Sequence, residues 1–355
     1  MNTRTLIVGN LGYIGPVLVD HLRKHRPETS LLGYDTGYFA GCLIDPFEAT
    51  DRCVDVQVYK DVRDVGQEDL RGVDHVVYLA AISNDPMGNL YEKPTRDINA
   101  AAALRFALLA RQCGARRFVY ASSCSVYGAG GDVAKDEASA LNPLTAYAKS
   151  KIEAEQELKA LAHEDFFVTC LRFATACGAS PRLRLDLVLN DFVASSLLKN
   201  EIEILSDGTP WRPLIDVQDM CRAMLWAMER NDAKAGAFLA VNVGHDDWNY
   251  TIKDLAHAVR DVVGNTRVSI NASAAPDKRS YRVDFSLYNA LASHGQARKS
   301  IETTIHELVR NIEDSDFRKQ DFRNSHLIRL NTLSQLRRRN KLDADLRWVA
   351  PGKAA

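Results

Sequence analysis

At 355 residues, with 46% hydrophobic and 26% charged side chains, the chain has the composition of a soluble globular protein with one large core or two modest ones, which excludes disorder as its main theme. Its 45 Lys and Arg offset 46 Asp and Glu, leaving a formal charge of -1. That balance argues against nucleic acid or an acidic membrane as a partner and for a small polar ligand.

The N-terminus, MNTRTLIVGN, runs from a short polar start into an apolar strand and then glycines, without the pattern of a secretory signal. No apolar run approaches the roughly 20 residues that span a bilayer. A cytoplasmic protein is expected. Seven cysteines, at 42, 53, 113, 124, 170, 177 and 221, are odd in number and scattered, with no CxxC pair and no His at metal-ligand spacing. They are expected to be reduced, mostly as small buried hydrophobes, and no metal site is expected.

Short β-rich runs alternate with helical patterns through the first half: TLIV at 5–8, LLGYD at 31–35, VQVY at 56–59, HVVYLAA at 75–81, RFVYASS at 117–123 and FFVTCLRFA at 166–174. Continuous apolar runs separated by helices such as the one carrying Ile14, Val17, Leu18 and Leu22 on one face predict parallel strands covered on both sides. The expected fold class is therefore α/β, a doubly wound parallel sheet of Rossmann-like type, with a smaller, interleaved C-terminal substrate lobe.

Residues 1–177 form the expected dinucleotide-binding domain, with 214–244 returning to it through a helix from about Val217 to Met228 and a strand in FLAVNVG at 238–244. Residues 178–213 and 245–326 form the second lobe. They include a strand at EIEIL, a capping box from Thr251 to Asp254 ahead of the amphipathic helix of Ile252, Leu255, Ala256, Val259 and Val263, and a loop entering a short strand over 273–285. Residues 327–355 form a helical tail. There Leu330, Leu333 and Leu336 are expected to pack on the chain's own body or on a partner subunit, and the basic run from Arg337 to Lys341 reads as a solvated face.

Gly9, Gly12 and Gly15 in VGNLGYIG lie between the first strand and the first helix, where a dinucleotide diphosphate meets the N-terminal amides of that helix. Asp35 ends the second strand, where a carboxylate accepts both ribose hydroxyls of the adenosine half and repels a 2'-phosphate; NAD is favoured over NADP. Tyr147 and Lys151 stand one helical turn apart in LTAYAKSK. A lysine ammonium beside the phenol favours the phenolate, lowering the tyrosine pKa from about 10 toward working pH, as a base for a hydroxyl proton requires. Ser123, in YASSCSVYG, ends a parallel strand and places a hydroxyl where open α/β sheets bind ligands.

Together with KDVRD at 60–64, LAAIS at 79–83 and DIN at 97–99, these motifs resemble the extended branch of the short-chain dehydrogenase/reductase superfamily, the NAD-dependent epimerase/dehydratase family whose members act on nucleotide sugars. The resemblance covers nearly the whole chain. It implies Ser123, Tyr147 and Lys151 as the catalytic group. It also implies cofactor contacts at Gly9, Gly12, Tyr13, Ile14, Gly15, Asp35, Asp61, Val62, Leu79, Ala80, Ala81, Asn99, Tyr147 and Lys151. More loosely it places Thr175, Asn190, Arg212 and Arg279, with Ser123, against the substrate; Thr175 stands where an asparagine is expected from the epimerases of that family. A homodimer or higher oligomer is a further implication of the resemblance.

The dehydratases of this branch carry an Asp-Glu pair immediately after the catalytic hydroxyl, and this chain has Cys124 and Ser125 there. Without those proton shuttles, 4,6-dehydration gives way to epimerization, 4-dehydrogenation or 4-keto reduction, with Tyr147 as base and hydride transfer at a sugar carbon, C4 above all. The alternatives are a nucleotide-sugar dehydratase or a noncatalytic NAD-binding sensor or scaffold that keeps the fold alone.

Overall fold

The computed structural model describes residues 3–47, 53–129, 131, 133–230, 232–271, 273–274, 280–292, 299–315, 317 and 321–350. Its strands are β1 (Arg4–Val8), β2 (Ser30–Asp35), β3 (Val56–Tyr59), β4 (His75–Tyr78), β5 (Arg117–Ser123), β6 (Phe167–Phe173), β7 (Thr175–Cys177), β8 (Glu201–Ile204), β9 (Trp211–Asp216), β10 (Phe238–Val243), β11 (Asn249–Thr251) and β12 (Arg267–Ile270). The longer helices are α1 (Gly15–His25), α2 (Ala102–Gln112), α3 (Ala146–Leu161), α4 (Val188–Lys199), α5 (Val217–Glu229), α6 (Ile252–Val263), α7 (Ile301–Glu313) and α8 (Arg329–Arg338).

Seven strands form one parallel sheet in the order β10-β6-β5-β4-β1-β2-β3. Chain order reverses between β1 and β4, and at such a switch point the loops leaving the two strands part to open a crevice at their carboxyl ends. Both faces of the sheet are apolar, as parallel strands with crossover helices require. One core gathers Leu6, Val76, Phe106 and Phe118; the other gathers Ile7, Val77, Val119 and Leu171 with α1 and α5. The alternation of side chains along each strand feeds the two cores in turn.

The run read as a strand over 75–81 pairs only as far as Tyr78. Leu79 still donates its N–H to the Val8 carbonyl at 2.8 Å, but Ala80 and Ala81 leave the sheet to line the crevice, and their apolar character serves that wall.

The second lobe is built on a third core, with a three-stranded sheet β11-β9-β7 and a two-stranded sheet β12-β8 packed by α4, α6 and α7; Thr175–Cys177 and residues 214–216, expected in the dinucleotide-binding domain, pair with each other here rather than in the main sheet. Thr251 caps α6 as its sequence suggests, accepting the Asp254 N–H at 3.1 Å and donating to its carboxylate at 2.7 Å. Of residues 273–285, the described part makes one β-bridge, Val283 with Lys135. In the tail Leu333 is buried in the first core, with Leu330 and Leu336 half-buried against it, so this stripe packs on the chain's own body. No described helix is long and apolar enough to cross a membrane, and all seven cysteines are free.

Candidate active site

A cleft of about 910 Å³ opens at the carboxyl ends of the sheet, between the two lobes. One end is the turn from β1 to α1. Gly9 has φ +89°, and a Cβ there would come within 2.6 Å of the Ala80 nitrogen, so only glycine closes this turn. Gly15 begins α1 so near the chain at Asn10 that a Cβ would lie 2.1 Å from the Asn10 carbonyl oxygen. The helix N-terminus has no side-chain cap, since Ile14 occupies the cap position, and its first amides are left for an anion.

Asp35 lines the same end, accepting the Leu11 N–H at 3.0 Å and the Gly37 N–H at 2.7 Å, which ties the end of β2 to the glycine turn. Asp61 and Val62 follow on the wall; the Asp61 carboxylate is held by the Arg63 guanidinium at 2.6 Å and 2.9 Å. Tyr13 lines the cleft with its ring and donates its hydroxyl to the Gly178 carbonyl at 2.7 Å, while its own carbonyl accepts from Ser180 at 2.7 Å. These bonds fasten the glycine turn to the second lobe.

The other end holds Ser123, Tyr147 and Lys151. Ser123 closes β5, and its Oγ accepts the Ser125 N–H at 3.1 Å, leaving the hydroxyl proton to donate elsewhere; the hydroxyl is near enough to Tyr147 to lower its phenol. Tyr147 and Lys151 project from one face of α3, whose N-terminus Thr145 caps by accepting the Ala148 N–H at 3.2 Å. The Lys151 Nζ donates to the Ala121 carbonyl at 2.6 Å, lies 4.5 Å from the Tyr120 ring centre and is 5.6 Å from that of Tyr147.

The electrostatics of the site differ from the sequence expectation. Burial pushes the Tyr147 phenol up to about 12, against the pull of the Ser123 hydroxyl and the Arg184 charge. Burial also brings the Lys151 ammonium down to about 7, opposed by the Glu155 carboxylate. Lys151 is thus turned to a backbone carbonyl and its own charge is weakened, so it is Ser123 and Arg184 that lower the phenol here.

Behind this face the back of α3 is anchored to the sheet. Glu155 accepts from Ser122 at 2.5 Å and pairs with Arg172 at 2.7 Å and 3.1 Å, and Arg172 in turn donates to the Tyr127 hydroxyl at 3.1 Å. All four are largely buried, so the pair is strong only because its polar atoms are matched on every side.

Two expected contacts lie behind the wall. Asn99, on a wide π-type turn over Asp97–Ala101, spends its amide on Ile82 N–H at 2.9 Å, Ile82 carbonyl at 3.1 Å and Ser150 Oγ at 3.0 Å, so it shapes the cleft through Ile82. Asn190, wholly buried on α4, accepts from Gly178 N–H at 3.0 Å and donates to the Arg184 carbonyl at 3.0 Å; its amide is already engaged. Thr175 and Arg212 do line the cleft, whereas Arg279 lies outside the described residues.

The structure adds groups that sequence reasoning passed over. Arg184 donates to Ser83 Oγ at 2.9 Å and pairs with Asp186 at 2.7 Å and 3.0 Å, and Asp186 also accepts from Asn84 at 2.7 Å. Ser125 presents on the cleft wall a buried Oγ that has no hydrogen-bond partner among the described residues. Cys124 is buried, donates its thiol to the Arg172 carbonyl, and is pushed well up by that burial, so it is no proton shuttle.

A parallel sheet with this order and a glycine turn at its switch point define a dinucleotide-binding protein of the doubly wound class, and a Ser, Tyr and Lys group stands at the far end of the same cleft. The model of the NAD dependent epimerase/dehydratase family matches residues 5–244, and the chain belongs to that family. Its cofactor is accordingly NAD, which fits the glycine cradle, the uncapped helix terminus and the Asp35 carboxylate.

Among curated relatives, the chain is 26% identical to the UDP-glucose 4-epimerase of Corynebacterium glutamicum, covering 77% of this chain and 83% of that one. It is 25% identical to UDP-glucuronic acid decarboxylase 3 of Arabidopsis thaliana, over 80% and 82%. Among solved structures, TunA, an NAD-dependent NDP-hexosamine 5,6-dehydratase, superposes with a TM-score of 0.76 at 21% identity, over 89% of this chain and 99% of that one. MoeE5 in complex with UDP-glucose and NAD superposes at 0.74 with 23% identity, over 88% and 99%. At these identities the superpositions speak for the fold.

Proposed function

We propose that the protein is a nucleotide-sugar epimerase acting at C4 of the sugar, with Tyr147 as base. The observation that carries this reading is the convergence of Ser123, Tyr147 and Lys151 on one wall of a two-lobed cleft whose other end is the cofactor cradle. The curated relatives support the substrate class.

NAD, which the glycine turn, the first amides of α1 and Asp35 would hold, would supply the hydride acceptor and donor for the sugar carbon. The Tyr147 phenolate takes the hydroxyl proton as that carbon is oxidised to a ketone, and returns it when the ketone is reduced on its other face. Ser123 holds the same oxygen by a hydrogen bond and favours the deprotonated phenol. Lys151, released from the Ala121 carbonyl by a ligand that replaces that acceptor, supplies positive charge beside the phenolate. Thr175 and Arg212 face the substrate from the second lobe, where a guanidinium suits a diphosphate.

Dehydration demands a further acid and base, and the positions after Ser123 offer a buried thiol and a neutral hydroxyl. Of the carboxylates that line the cleft, Asp61, Asp186 and Asp191 are each paired with an arginine, Arg63, Arg184 and Arg323, Asp35 accepts backbone amides at the glycine turn, and Asp85 and Glu203 also line the wall. It is the lack of a carboxylate directly after Ser123 that favours returning the hydride over eliminating water.

The reading is tested by adding a panel of nucleotide sugars to the purified protein while following the reduced-nicotinamide absorbance and the sugar's proton NMR spectrum. C4 inversion with only transient absorbance is expected. Steady accumulation of reduced cofactor would make the enzyme a dehydrogenase, and a 4-keto-6-deoxy product would make it a dehydratase.

A further inference from the structure

The C-terminal segment beyond residue 327 lies outside the 5–244 region matched by the family, yet it folds back onto the cofactor end of the cleft. The Trp348 indole donates to the Thr36 carbonyl at 2.7 Å, just after Asp35. Arg63, the partner of Asp61, donates to the Asp345 carbonyl at 2.6 Å, and Arg347 pairs with Asp64 at 2.8 Å. The Tyr38 hydroxyl donates to the Leu346 carbonyl. Each contact falls on a segment that follows β2 or β3, the two strands whose ends flank the adenosine half of a dinucleotide in this fold.

The first residue of α8, Arg329, enters the cleft wall itself. It is 2% exposed; its guanidinium lies 5.2 Å from the Phe39 ring centre, and Nη2 donates to the Arg182 carbonyl at 2.6 Å. Its Nη1 is buried and has no hydrogen-bond partner among the described residues. Arg184, on the same wall, already shares Asp186. A buried cation with an unused donor and no carboxylate of its own is costly, and an anionic ligand offsets that cost. Burial, with the charges of Arg184 and Arg182, pulls the Arg329 guanidinium down from its ordinary range, as expected of a site waiting for negative charge.

The anion that belongs at this place is the cofactor diphosphate. The glycine turn, which leads into the uncapped N-terminus of α1, lines the same cleft as Arg329. The loop that carries Arg182 and Arg184 is bonded to the same turn through Ser180 and the Tyr13 carbonyl. We propose that Arg329 is a ligand of the cofactor diphosphate, and that the C-terminal tail is a clasp retaining NAD through turnover. Retention is what a reaction that returns its hydride requires, but the inference rests on NAD alone and stands apart from the identity of the sugar.

The test compares adenosine, ADP-ribose and NAD binding to nucleotide-free wild type, Arg329→Met and Arg329→Lys by calorimetry. Losing a charge-assisted bond to phosphate should weaken ADP-ribose and NAD together by about 10-fold to 100-fold in Arg329→Met, with Arg329→Lys between the two. Adenosine, which has no phosphate, should bind all three alike, and that also shows that the variants keep the folded site. Equal weakening of adenosine would reduce Arg329 to a packing role and overturn the proposal. Unchanged NAD affinity would overturn it as well, and if nucleotide-sugar affinity then fell, the anion would belong to the substrate.

Discussion

Replacing Lys151 by Met should change how the stability of the ligand-free protein depends on pH, and the size of the change follows from the site. Lys151 is 2% exposed, and burial brings its ammonium down to about 7 from the usual value of about 10.5. The folded-state value lies below the unfolded one, so in the window between them the unfolded chain binds the extra proton and stability rises with pH. Above that window the group contributes nothing; as pH falls through it the penalty grows, and below the folded value it is constant.

At 1.36 kcal/mol per unit, the linkage changes by about 2.5 kcal/mol between about pH 9.5 and about pH 7.5. Met keeps the length and apolar body of the side chain and does not titrate. Its pH-independent cost, the loss of the donor to the Ala121 carbonyl, shifts the whole curve without tilting it. Urea unfolding of nucleotide-free wild type and Lys151→Met at several pH values gives two stability curves, and their difference isolates this one group from every other titration. Wild type should lose about 2.5 kcal/mol more than the variant on going down from about pH 9.5 to about pH 7.5. Parallel curves would mean that the buried lysine keeps its ordinary pKa, and would refute the electrostatic description of the site.

Tyr147→Phe should lower turnover by about 10²- to 10⁴-fold, measured by NMR of the sugar product, while NAD stays bound, because the phenol is the proposed proton-transfer group and the ring still fills its place. Turnover near the wild-type rate would remove Tyr147 from the reaction. Glu155→Gln should destabilise the fold by about 3–5 kcal/mol in denaturant unfolding by leaving Arg172 buried without its charge partner. Pairing it with Arg172→Met should recover part of that loss, and strictly additive losses would show that the two do not act as a pair. Gly9→Ala should weaken NAD binding in fluorescence titration, since at φ +89° a methyl group would press on Ala80 and add about 1–3 kcal/mol of backbone strain; unchanged affinity would show that the turn is looser than its geometry implies.

Most of the parallel sheet was legible because its strands are continuous apolar runs with nothing else to be. The run at 117–123 starts and stops where β5 does. The run at 75–81 misled because apolarity cannot separate a strand from a cleft wall, and only the pairing partners end β4 at Tyr78. Among site residues, Gly9, Ser123, Tyr147 and Lys151 stood out because short spacing encodes their geometry. Arg184 and Arg329 gave no such signal: their partners Ser83 and Arg182 are 101 and 147 positions away, a juxtaposition that exists only once the lobes close. Asn99 and Asn190 stood out by position, yet their amides hold backbone on the far side of the wall, a distinction that only burial reveals.

The unequal legibility reflects how the work is divided. The Tyr147 phenol sits on a 16-residue helix fixed from behind by Glu155 and Arg172 and beside by the Asn99 to Ser150 bond, so its place relative to Ser123 at the end of β5 hardly depends on the second lobe. Thr175 and Arg212 reach the cleft from β7 and β9, which pair with each other in the lobe's own sheet. An exchange of that lobe's cleft residues should therefore alter which nucleotide sugar is accepted while leaving proton transfer intact, because the positioning of the base and the choice of substrate are carried by different cores.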